Sequence, residues 1–65
     1  MMKTIDHSVS FIMEYMVVQT RVTISDELDE TIDDDSIVQI ASQNILDNYG
    51  FDPLDLCYDY ELNEV

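Results

Sequence analysis

Hydrophobic residues recur at two spacings along the chain, and each spacing predicts a different element. Residues 9–24 are rich in β-branched and aromatic side chains, and apolar and polar positions alternate from Met16 onward, which is typical of a β-strand. One face would carry Met16, Val18, Val22 and Ile24, and the other Gln19, Arg21 and Thr23. Sixteen residues are long for one strand, so the segment is either a bent strand or two strands joined by a tight turn. A helix over its first half is a rival interpretation, because Val9, Ile12, Met13, Met16 and Val17 also fit helical spacing.

Residues 37–49 predict an amphipathic helix. Its apolar stripe consists of Ile37, Ala41, Ile45 and Tyr49, widened by Val38 and Ile40. Ser36 and Gln39 fit a capping box at the start, and Gly50 suits the left-handed residue that ends a helix. Pro53 is then expected to prevent the helix from resuming.

Residues 54–62 alternate strictly and predict a half-buried strand with an acidic outer face. One face would carry Leu54, Leu56, Tyr58, Tyr60 and Leu62, and the other Asp55, Cys57, Asp59 and Glu61. The expected fold is a single α+β domain spanning residues 1–65, in which an antiparallel sheet of two or three strands packs against one helix in the order β-(β)-α-β. The strand edges of so small a sheet would offer a site for a homodimer.

Charge is distributed very unevenly along the 65 residues. There are 15 acidic and two basic residues, for a net charge of −13. In residues 1–25, Lys3 and Arg21 balance Asp6 and Glu14, so residues 26–65 carry the whole −13. A field of one sign attracts a basic partner over long range and repels phosphate. We therefore expect no direct binding to nucleic acid or to an anionic membrane.

Few residues offer catalytic chemistry, and we expect no enzyme activity and no cofactor. His7 lies near a terminus expected to fray, where an exposed histidine is the simpler interpretation. Cys57 is the only cysteine, so no disulfide can form within the chain, and acidic neighbours on its strand face would suppress its nucleophilicity. Gly50 is the only glycine, which excludes a glycine-rich phosphate loop.

A dedicated metal site is not expected either. A calcium-binding EF-hand loop starting at Asp29 would need Gly at its sixth position and Glu at its twelfth, but these are Asp34 and Ile40. A protein that responds to divalent cations remains a minor alternative. The apolar run at residues 11–18 is too short to span a bilayer, contains Glu14 and has no cleavage site, which predicts an intracellular location.

The stretch SDELDETIDDDS, residues 25–36, holds seven acidic residues and no basic one. A solvated connector and a helix start would account for Asp33 to Asp35, because a helix dipole favours negative charge at its N-terminus. A connector and a helix start do not explain the acids that follow Asp35 along the chain. We therefore expect a surface that imitates the phosphates of nucleic acid. On a strand, the carboxylates of Asp59 and Glu61 would lie about 6.6 Å apart on one face, an interval similar to that between phosphates. Asp26–Glu30 and Asp33–Asp35 would form a second row of acids, separated from the first by the width of a groove. The expected partner-binding residues are Asp26, Glu27, Asp29, Glu30, Asp33, Asp34, Asp35, Asp55, Asp59 and Glu61.

In small size, in the acidic surplus of SDELDETIDDDS and DYELNEV, and in element order, the chain resembles the small DNA-mimic proteins of bacteriophages. The run Asp35-Ser36-Ile37 is similar to the acid–Ser–Ile edge of uracil-glycosylase inhibitors. The resemblance implies a non-catalytic inhibitor that acts in host takeover, in the cytoplasm of a bacterial cell. Its partner would be a basic host protein of the nucleic-acid-binding, nuclease, repair or defence type.

A protein–protein interaction module is the alternative function. The apolar strand at residues 9–18 would then add to a partner's sheet, and the acids would serve solubility. Its contact residues would be Phe11, Met13, Tyr15 and Met16, unless these side chains form the core or a homodimer interface.

Overall fold

Residues 3–65 are described by a computed structural model. The strands are β1 (Thr4–Ile12), β2 (Val17–Ser25) and β3 (Asp59–Glu64), and the helices are α1 (Asp26–Asp29), α2 (Asp34–Tyr49) and α3 (Pro53–Leu56). All three strands form one antiparallel sheet in the order β2-β1-β3. The predicted α+β class, with a small sheet and one long helix, is confirmed.

The long apolar segment is a hairpin, which decides between the alternatives left open by the sequence. β1 and β2 pair from Thr4↔Ser25 to Ile12↔Val17, and the Met13 amide donates to the Met16 carbonyl at 2.8 Å across the turn. The helical interpretation of the first half was therefore wrong. A run of β-branched residues favours strand once a partner strand lies beside it, and helical spacing of its apolar residues does not outweigh that pairing.

The last strand begins later than its alternating pattern indicated. Leu54 and Leu56 lie in α3, because Pro53 occupies the first helical position and the Asp52 carboxylate accepts the Leu54 amide at 3.0 Å. Pro53 therefore starts a short helix rather than only preventing one. The strand runs from Asp59, and its alternation there is as predicted, with Tyr60 and Leu62 toward the helix.

Helix α2 starts three residues before its predicted start, at Asp34. Its N-cap is Asp33, whose side chain accepts the Ser36 amide at 2.9 Å, so the predicted Ser36–Gln39 capping box was wrong. Asp, like Ser, is a favoured N-cap, and the acidic residues before Ser36 fit the first turn. The predicted end is confirmed, since Gly50 has φ 82° and its amide donates to the Leu46 carbonyl at 2.9 Å.

The core lies between α2 and the face of the sheet toward it, here called the inner face; the opposite face is called the outer face. Central strand β1 contributes Val9 and Phe11, both fully buried, together with His7, and Met13 is buried at the start of the turn that follows β1. The other buried apolar side chains are Val22 and Ile24 from β2, Ile37, Val38, Ala41 and Ile45 from α2, and Pro53 from α3. Outer-face residues of the edge strands, such as Gln19, Arg21 and Glu61, are exposed. None of the helices within residues 3–65 is long and apolar enough to cross a membrane.

Phe11→Ala should lower the free energy of unfolding by about 3–5 kcal/mol, because it empties a fully buried site in a domain with little stability to spare. Tyr15→Ala is the matched control. Its side chain is 91% exposed in the hairpin turn, so the change should stay within about 0.5 kcal/mol. Urea unfolding followed by circular dichroism measures both; equal losses for the two variants would contradict this core.

Candidate functional site

The acidic stretch folds into two successive helix starts. Ser25 caps α1, since its hydroxyl oxygen accepts the Leu28 amide at 3.2 Å. The amides of Thr31 and Ile32 then donate to the Leu28 carbonyl at 3.0 and 2.8 Å, and Asp33 caps α2. These contacts give the acids defined positions, and they place most of them where helix dipoles favour negative charge.

Asp33 has a local reason to stay charged. Hydrogen bonds from the Ser36 hydroxyl and the Ser36 backbone amide lower the pKa of this exposed carboxyl below its ordinary value. The same bonds hold the carboxylate at the head of α2. Asp33 therefore serves the fold as an N-cap, and this structural role explains its presence without a partner.

His7 and Asp29 tie α1 to the sheet. His7 lies on the inner face of the central strand and is largely buried, so its expected exposure at a frayed terminus was wrong. Its Nε2 lies 2.7 Å from Asp29 Oδ1, and the Asp29 side chain is about one quarter exposed. Pairing of β1 on both sides orders this end of the chain. Asp29 thus has an internal partner, unlike its exposed neighbours.

Most acids of the stretch are exposed and uncompensated. The exposed carboxylates are Asp26, Glu27, Glu30, Asp33, Asp34 and Asp35. Within residues 3–65 neither Lys3 nor Arg21 forms an ion pair with a carboxylate, and the one acid–base contact is between His7 and Asp29. We call these six residues together with Asp29 the helix-start group.

The remaining three predicted residues form a separate group at the other end of the sheet. Asp59 and Glu61 share the outer face of β3 as predicted, level with Ile12 and Ser10, and Asp55 lies on α3. We call them the β3 group. The Asp26 amide donates to the Lys3 carbonyl, so Asp26 lies nine residues along β1 from the level of Asp59. At about 3.4 Å per residue the two groups are about 30 Å apart along the strands.

This separation differs from the predicted arrangement of two rows across a groove's width. The His7–Asp29 contact places α1 on the inner side of the sheet, whereas Asp59 and Glu61 point to the outer side. The order β2-β1-β3 produces this result, because it puts the start of β3 beside the hairpin end of β1. Spacing along the chain contains no information on that order.

Two further acids lie at the same end of the sheet as the helix-start group and were not among the predicted site residues. Glu64 is paired with His7 in the β1–β3 register and is exposed. The Asp6 carboxylate accepts the Thr23 hydroxyl at 2.7 Å, and the Val65 amide donates to the Asp6 carbonyl at 2.9 Å. The sequence contained a signal for Glu64. If the alternation of the last strand is continued from Leu62, Glu64 falls on the inner face, which agrees with its pairing with His7.

The structure also gives positions to the residues considered for metal and thiol chemistry. In the described part of the chain, no three His, Cys, Asp or Glu side chains are placed to hold a metal ion. Cys57 is the C-cap of α3 and packs against the core, so its predicted place on a strand face between acids was wrong. Half-burial in apolar surroundings is typical of a structural cysteine.

The apolar residues of the alternative function divide into two pairs. Phe11 and Met13 are buried, which decides for these two side chains in favour of the alternative in which they form the core. Tyr15 and Met16 are 91% and 53% exposed in and beside the hairpin turn. Only the turn end of residues 9–18 therefore presents an apolar surface.

Comparison with known proteins identifies no relative: no family model, curated protein or solved structure matches this chain.

The N-cap should make part of the stability depend on pH. The folded-state pKa of Asp33 is lowered, so its contribution is present above the unfolded-state pKa and is lost as pH falls through the folded value. Asp33→Asn keeps a capping side chain but removes the charge. Urea midpoints should show this variant less stable than the parent at pH 7, with the difference shrinking below pH 3.8. Asp34→Asn is the charge-matched control, because it removes no capping contact. If both variants showed the same pH-dependent difference in stability, the role of Asp33 as a charged N-cap would be contradicted.

Asp29→Ala should lower the free energy of unfolding by about 1–2 kcal/mol, because it leaves the buried His7 ring without its partner. Glu27→Ala is the control, since it removes one exposed acid from the same helix. Hydrogen exchange should accelerate at the Thr31 and Ile32 amides in Asp29→Ala but not in Glu27→Ala. Unchanged exchange at both amides would show that the contact does not hold α1.

Proposed function

We propose that this chain is a non-catalytic inhibitor that occupies the basic groove of a nucleic-acid-handling protein. The supporting observation is the charge: residues 26–65 carry −13, and the exposed acids of the helix-start group have no Lys or Arg partner within the described residues. Acids needed only for solubility would be interspersed with bases. A surface of one sign instead favours a partner that supplies the opposite charge.

The helix-start group suits a groove that normally holds a duplex. The β3 group lies about 30 Å away along the strands and points to the other side of the sheet, so it forms a separate acidic surface. Caps and the His7–Asp29 contact hold the first group, and strand pairing holds Asp59 and Glu61. Carboxylates held in place by the fold lose less conformational freedom on binding than flexible ones would. The inhibitor works by excluding substrate, without any chemical step.

The protein–protein interaction module is a second candidate, supported by the exposure of Tyr15 and Met16. Binding through these side chains would depend on apolar burial and would therefore persist at high salt. Binding through the acids would be weakened by salt, because at about 1 M the Debye length is only about 3 Å. Salt dependence thus distinguishes the two candidates.

The experiment is a tagged pulldown from bacterial lysate, washed in steps to about 1 M salt, followed by mass spectrometry. We expect a basic nucleic-acid-handling protein to be captured at low salt and released as salt rises. The purified partner should then bind the triple variant Asp33→Asn, Asp34→Asn, Asp35→Asn about tenfold or more weakly at low salt. Asn at position 33 retains a capping side chain, and circular dichroism checks that the triple variant is folded.

The control changes the same helix without changing charge: Gln39→Ala with Gln43→Ala, both exposed on α2. It should bind like the parent within about twofold. A partner whose affinity does not fall between low and about 1 M salt, or one that binds the triple variant as tightly as the parent at low salt, would overturn the proposal.

A further inference from the structure

An apolar groove opens beside the edge strand β2 at the hairpin end of the molecule. Its volume is about 280 Å³, and it is lined by Met16, Val17, Val18, Gln19, Tyr49 and Phe51. Tyr49 and Phe51, whose ring centroids are 6.3 Å apart, form a wall at the C-terminal end of α2. Tyr49 was predicted to belong to the core stripe of the helix, yet its side chain is 68% exposed.

The strand that borders this groove is open to a further strand. β2 pairs with β1 on one side only, and on its other side every second residue turns its backbone N–H and C=O outward. Edge strands are commonly protected by charged side chains or proline. β3, the opposite edge, carries three acids in six residues, whereas β2 carries Arg21 as its one charge in nine residues and no proline.

Charge complementarity selects the occupant of this edge. A second copy would bring together two chains that each carry −13, and self-repulsion opposes such a pair. Glu14 precedes Met16 by two residues and Asp52 follows Phe51, so acids are close neighbours in sequence of lining residues from both segments. A segment that places an apolar side chain in the groove and basic side chains beside it complements both features.

We propose that β2 binds an extended segment of a partner protein as a fourth strand, with an apolar side chain of that segment in the groove and Lys or Arg within a few residues of it. The inference rests on the proposed function, because it takes the partner to be a basic protein. It adds a second contact, because backbone hydrogen bonds give affinity and the groove selects one side chain. Acids would speed encounter, and the groove would slow dissociation.

The test uses a displayed library of random dodecapeptides as the probe, selected against the wild-type chain. Enriched peptides should share an apolar residue with Lys or Arg nearby. Synthetic copies should bind Met16→Lys about tenfold or more weakly, because this change places a like charge in the groove. Leu56→Lys is the matched control, since Leu56 is 60% exposed on α3 before the opposite edge strand. It adds the same charge and should alter affinity by no more than about twofold.

Hydrogen exchange of the complex locates the added strand. Backbone amides of β2 should gain protection when the peptide binds, and those of β3 should not. The triple variant Asp33→Asn, Asp34→Asn, Asp35→Asn should bind the peptides within about twofold of the parent. The two hypotheses can therefore fail separately. If the proposed function is wrong, partner binding will not depend on salt; if this inference is wrong, the peptides will not bind as described.

Four results would overturn the inference. The first is a selection that enriches no such peptides. The second is equal binding to the parent and to Met16→Lys. The third is hydrogen-exchange protection on β3 instead of β2. The fourth is a concentration-dependent dimer in sedimentation velocity that Met16→Lys abolishes, which would show that a second copy occupies the edge.

Discussion

The pairing of β1 with a strand on each side is the constraint on which the rest of this small structure depends. The register set by the Met13–Met16 turn directs His7, Val9 and Phe11 toward α2. A slip of one residue would bring polar Asp6, Ser8 and Ser10 to that face and expose Phe11. β3 adds the second partner and places Leu62 against the core.

Charge imposes a second demand, since the domain must fold against its own repulsion. The fold meets part of this demand by placing acids at the starts of helices. Ser25 and Asp33 cap α1 and α2, and the acids of the first turns lie where the helix dipole favours them. The same placement leaves their carboxylates exposed and without basic partners in the described chain. One local device therefore both stabilises the helices and presents the acidic surface proposed to bind a partner.

Local patterns were reliable where a residue's own chemistry decides the conformation. Gly50 ends α2 because a left-handed residue is needed there, and the outward direction of Gln19, Arg21 and Thr23 follows from strand alternation. The pattern failed at Leu54 and Leu56, where Asp52 and Pro53 start a helix within an alternating stretch. The expectation that His7 is exposed, which rested on its place near a terminus, failed as well, because its burial depends on two strands and on Asp29, 22 residues away along the chain. Periodicity does not report contacts between distant segments.

The sequence by itself determined the α+β class, the end of the long helix, the absence of an internal disulfide and the one-signed charge of residues 26–65, because each depends on composition or on neighbours along the chain. The tertiary structure alone decided that β1 is central, that the acids form two groups about 30 Å apart, and that Tyr15 and Met16 are exposed while Phe11 and Met13 are buried. These features depend on which strands pair and in which register. That choice comes from burying the apolar side chains of segments far apart in the chain, so no single stretch of sequence contains it.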